Sequence, residues 1–97
     1  MLKMVLLAYN EAIEEEVMEA LTKCNLKSYT KLAGAFGRGE SSGTHLGNDI
    51  WPGRNNLLYV ACESAKAKEL LSYIRVLRGS LGKEGLKAFI LPLEEMT

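Results

Sequence analysis

The chain has 97 residues, with 12 basic and 12 acidic side chains and a formal net charge of zero. That balance argues against a general nucleic-acid surface or an anionic-membrane surface. The length fits one domain, which buries only about two-thirds of its unfolded surface.

Met4 to Tyr9 is almost wholly apolar and reads as a first strand covered on both faces. This opening stretch is too short for a signal peptide and lacks its cleavage pattern. No apolar run reaches membrane-spanning length, so a cytoplasmic protein without direct membrane insertion is expected. Asn10 is placed to cap a helix. From Glu11 to Lys23 the apolar residues Ile13, Val17, Ala20, Leu21 and Cys24 recur at helical spacing. Glu14, Glu15, Glu16 and Glu19 are expected on the solvated face, where acids near the N-terminus suit the helix dipole. Asn25 ends this helix.

Ser28 to Ala35 reads as a second strand with one exposed face. Gly37-Arg38-Gly39 then opens a segment running to Asn56 that holds four more glycines or prolines, Gly43, Gly47, Pro52 and Gly53. A loop of that length in a small domain is a functional or mobile element. Trp51, the sole tryptophan, and Arg54 lie near its end. An exposed tryptophan is a common binding anchor, so both are candidates for partner docking. Packing of Trp51 back onto its own loop or a neighbouring subunit is the other reading.

Leu57 to Cys62 forms the third strand. Ser64 is placed to cap a second helix striped with Ala67, Leu70, Leu71, Ile74 and Leu77. Gly79 reads as the glycine just past that helix, and Leu86 to Leu93 as a fourth strand. Between them, Gly82 and Gly85 with Lys83 and Lys87 can bring backbone N–H groups and ammonium groups onto one anion. Cys24 and Cys62 form no C-x-x-C pattern and are expected to be reduced, buried small hydrophobes.

The order strand–helix–strand, strand–helix–strand predicts a ferredoxin-like βαββαβ sandwich of the α/β (α+β) type. It has one antiparallel sheet and two helices on one face. Several strands are apolar on both sides, so the face without helices needs another chain to cover it. A homo-oligomer is expected. No nucleophile has a base in evident reach, and an enzyme is not expected.

Two segments are similar to the PII signalling proteins, and most of all to their shorter PII-like branch. Gly34-Ala35-Phe36-Gly37-Arg38 resembles the G-F-G-R at the base of that family's T-loop, with Ala35 inserted. Gly79 to Lys87 resembles the glycine-rich B-loop, with one residue more than usual. It runs into Ala88-Phe89-Ile90-Leu91-Pro92-Leu93-Glu94-Glu95, close to the family strand I-F-V-L-P-V-E-E. The resemblance covers the whole chain in element order. It implies one PII-like domain over residues 1–97, with a T-loop-like segment at about 39–55.

It also implies a homotrimer binding ATP, ADP or AMP between subunits, with a membrane transporter or metabolic enzyme as the regulated target. The nucleotide residues it implies are Gly37, Arg38, Gly82, Lys83, Gly85 and Lys87. Lys83 stands where the family usually has an aspartate. The basic C-terminal segment of classical members has no counterpart here, and residues 39–55 hold no tyrosine to modify. ADP, AMP or another anion is therefore expected as readily as ATP.

Two other readings remain open. His45 and Asp49, with Cys62, are the candidate ligands of a metal-responsive trimer, although a lone histidine is a weak metal signal. A small-metabolite domain on the same scaffold is the third.

Overall fold

The computed structural model describes residues 1–37, 54–81 and 85–97. Strand β1 spans Leu2–Asn10 and leads through a 3₁₀ turn, Glu11–Ile13, into helix α1, Glu14–Lys23. Strand β2 spans Thr30–Ala35, β3 spans Asn55–Glu63, helix α2 spans Ser64–Leu81, and β4 spans Leu86–Pro92. The sheet order is β2-β3-β1-β4, every neighbouring pair antiparallel. This is the expected ferredoxin-like arrangement.

Register divides the sheet into two faces. Val5, Leu7 and Tyr9 of β1, Leu58, Val60 and Cys62 of β3, and Leu86 of β4 are buried on one side. They join Val17, Ala20, Leu21 and Cys24 of α1 and Ala67, Leu70 and Ile74 of α2 in one core. Both helices therefore lie on that face.

The opposite face carries Met4, Leu6 and Ala8 of β1 and Leu57, Tyr59 and Ala61 of β3, and among the described residues no helix lies over them. Phe89 of β4 lies opposite Leu6, and Leu91 opposite Met4. Leu32 of β2 lies opposite Leu57. Leu32, Phe89 and Leu91 are 51%, 48% and 43% exposed. This face is an apolar surface spread over all four strands.

Local chemistry explains the element ends. The Asn10 side chain accepts from the Ala12 N–H and so caps the 3₁₀ turn. Helix α1 closes in a Schellman motif: Leu26 N–H donates to Leu21 O and Asn25 N–H to Thr22 O. Asn25 takes φ 57°, the left-handed conformation that asparagine tolerates, and Leu26 packs on the core. Ser64 does not cap α2 as expected. Its hydroxyl and its N–H both donate to the Met1 carbonyl, fastening the chain start to β3's end.

Gly79 is not past α2, which continues to Leu81. The half-buried Leu77 and Leu81, four apart, carry the inward face past the glycine. Strand β2 is shorter than Ser28–Ala35, starting at Thr30, and it is bulged. Leu32 faces Leu57 while Ala35 faces Asn55, so Ala33 and Gly34 together oppose Asn56. Gly34 takes φ +75° there. The bulge falls beside the residue that separates Gly34 from Phe36 in the G-A-F-G-R segment.

These glycines should respond oppositely to alanine. A Cβ at either meets nothing within 4 Å, so backbone preference decides. Gly79→Ala is expected to stabilise the fold by about 0.5–1 kcal/mol, because it replaces a helical glycine. Gly34→Ala should cost about 1–2 kcal/mol through its left-handed φ. Chemical denaturation of both variants checks the pair.

Candidate functional site

The four strands bring their loop-bearing ends to one side of the sheet. Register places Ala35 opposite Asn55, Asn55 opposite Asn10, and Tyr9 opposite Leu86. Asn10 N–H donates to Gly85 O at 2.8 Å, and Glu11 N–H donates to Arg54 O at 3.1 Å. Gly37 packs beside Asn55, whose amide nitrogen would lie 3.6 Å from a Cβ added at Gly37. Gly37, Arg54 and Gly85 therefore share one end of the molecule. Residues 38–53 and 82–84 are the connections that join there.

Lys87 is one step further along β4. It lies opposite Ala8 and is exposed on the apolar, helix-free face. Its ammonium thus belongs to the rim where that face meets the loop end. The nucleotide candidates Arg38, Gly82 and Lys83, the docking candidate Trp51 and the metal candidates His45 and Asp49 lie outside the described residues. Cys62 is 8% exposed in the core, and burial pushes its thiol pKa up.

A polar cluster that the sequence reading missed lies on the helix face, near the same end. The Glu14 carboxylate takes three donors. Tyr9 O–H and Asn56 Nδ2 donate to Oε1, the latter at 3.0 Å, and Lys31 Nζ donates to Oε2 at 2.6 Å. Glu14 was expected on the solvated face of α1 with Glu15, Glu16 and Glu19. The structure turns it inward. The signal was its spacing, three residues before Val17 and seven before Leu21, which places it on the buried stripe.

The cluster is electrostatically consistent. Burial opposes ionisation of Glu14, but the hydrogen bonds from Lys31, Tyr9 and Asn56 outweigh it and hold its pKa below the usual 4.5. Burial first, and then the hydrogen bond to the Glu14 carboxylate, push the Tyr9 phenol well above its ordinary range, so it stays a donor.

The family model for nitrogen regulatory protein P-II matches residues 2–97. The chain belongs to the PII family. Among curated proteins, none matches it. Among solved structures, CPII from Thiomonas intermedia K12 bound to ADP, AMP and acetate superposes with a TM-score of 0.74 at 17% identity, covering 99% of this chain and 89% of that one. CPII bound to ADP, AMP and bicarbonate gives 0.71 at 15% identity, covering 99% and 93%. A protein from Thermus thermophilus described as PII-like signalling gives 0.59 at 20% identity, covering 92% and 83%. At these identities the neighbours agree on fold. Among the described residues of this PII-family chain, no helix is long and apolar enough to cross a membrane.

The Glu14 cluster yields a pH prediction. A carboxylate whose folded pKa lies below its unfolded value contributes stability above the unfolded value. That contribution fades as pH falls through the folded value. Glu14→Gln should therefore be less stable than wild type at pH 7, and the gap should close on descending from about pH 5. Melting curves of both proteins across pH 3–7 measure it; a gap constant over that range would contradict the ionised, triply bonded Glu14.

Proposed function

We propose that this PII-family chain is a non-enzymatic regulatory protein. It assembles as a homotrimer and binds an adenine nucleotide, ADP or AMP as readily as ATP, in the cleft between subunits. The phosphates would be held by Gly37, Arg38, Gly82, Lys83, Gly85 and Lys87. The segment 39–55, with Trp51 and Arg54, would carry the nucleotide state to a partner protein in the cytoplasm. A membrane transporter or metabolic enzyme is the class of partner this family suggests.

The observation that carries this reading is the shared end of the sheet. Gly37 beside Asn55, Gly85 on Asn10 and Lys87 on the helix-free face share one end of the sheet, at the rim of an apolar surface. An anion there meets glycines that admit backbone N–H groups closely, and a cation that supplies a charge-assisted donor. A second copy covering the apolar face would wall the same rim. The ADP and AMP bound by CPII support the ligand class.

Calorimetry with ADP, AMP and ATP tests the proposal, with bicarbonate as a further titrant. Binding is expected with ADP or AMP. Lys87→Ala should weaken it about tenfold or more, the cost of one charge-assisted bond to phosphate. No heat from any nucleotide at millimolar concentration would refute the nucleotide reading.

A further inference from the structure

Strand β2 is the least anchored element of the sheet. Among the described residues it is an edge strand, paired with β3 alone. None of its residues from Thr30 to Ala35 is buried, and its ladder is interrupted by the bulge between Leu32 and Ala35. Among the described residues, one ion pair reaches it from the helical layer, Lys31 Nζ on Glu14 Oε2 at 2.6 Å. The two side chains are 34% and 30% exposed, so water screens this pair less than an ordinary surface pair.

The other end of that contact is rigid. Glu14 Oε1 is already held by Tyr9 of β1 and Asn56 of β3, which are 1% and 4% exposed. One carboxylate therefore joins β1, β2 and β3 to the first turn of α1. Asn56 directly follows Asn55, the neighbour of Gly37, and Tyr9 directly precedes Asn10, the partner of Gly85. The Gly37 side and the Gly85 side of the proposed cleft are thus referred to the same carboxylate.

We propose that Glu14 is a positioning residue for the ligand site, gripping Lys31 so that β2 delivers Gly37 at a fixed place relative to Gly85. The ligand part of this assignment rests on the nucleotide reading above. Glu14 itself touches no ligand. Its role is to make the edge strand, which has little burial of its own, as well placed as the central strands. Positioning errors of a fraction of an ångström weaken multi-point phosphate contacts, so a remote ion pair can govern affinity.

The test uses Lys31→Met, which keeps the aliphatic stem and leaves Tyr9 and Asn56 on Glu14, with Lys31→Arg as the conservative rescue. Amide hydrogen exchange of the nucleotide-free protein is the first readout. Exchange across Leu32–Gly37 should rise about three- to tenfold in Lys31→Met, with β1 and β4 unchanged, and return to wild type in Lys31→Arg. Calorimetry with ADP is the second, and Kd should rise by a similar factor in Lys31→Met alone.

Unchanged exchange over Leu32–Gly37 would overturn the anchoring role. So would an equal rise in every strand, which marks general destabilisation. Faster local exchange with unaltered ADP affinity would overturn the positioning role. Absence of nucleotide binding by the wild type would refute the nucleotide reading and the site assignment with it. The exchange arm would still decide whether Glu14 holds β2.

Discussion

Strand β1 sits in the middle of the sheet with apolar side chains on both faces, and the two helices cover only one of them. Val5, Leu7 and Tyr9 complete the core under α1 and α2. Met4, Leu6 and Ala8 point the other way, between Leu57, Tyr59 and Ala61 of β3 and Phe89 and Leu91 of β4. Apolar surface of this extent and continuity is costly in water and is characteristic of a contact face. A chain of 97 residues also has little core to spare. Burial of this second face between copies would add the stabilisation that one small core lacks, and would place the loop end of each sheet against a neighbour.

The polar features follow from the same geometry. Antiparallel pairing in the order β2-β3-β1-β4 sends the end of β2, the start of β3, the end of β1 and the start of β4 to one side. Backbone hydrogen bonds from Asn10 and Glu11 to Gly85 and Arg54 then fasten the roots of both glycine-bearing connections to β1. Glu14 does the equivalent with side chains on the helix face. Lys87 is set at the rim by the two-residue period of β4: Leu86 goes into the core, so Lys87 must take the other face.

Much of this was legible in the residues. Apolar spacing located both helices and all four strands, and the two-sided strands pointed to a bare face. The misses share a cause, in that each depended on a neighbour remote in sequence or on a residue with several roles. Gly79 looked like a terminator because glycine usually ends a helix, yet Leu81 continues the inward stripe past it. Ser64 looked like a cap, but its hydroxyl is taken by Met1 O. Glu14 looked like one of four solvated glutamates. Its spacing to Val17 and Leu21 marks it as inward, while its partners Tyr9, Lys31 and Asn56 converge only through strand register. The β2 bulge at Ala33 and Gly34 depends on pairing with β3 and left no mark in the residue pattern.

We propose that copies of the chain cover the helix-free face, and solution mass tests this most directly. Sedimentation equilibrium of the protein at micromolar concentration should give about three times the 10.7 kDa chain mass. Leu6→Asp, which sets a charge in the middle of that face, should shift the protein toward the monomer. A wild-type protein that stays monomeric to high micromolar concentration would contradict the account.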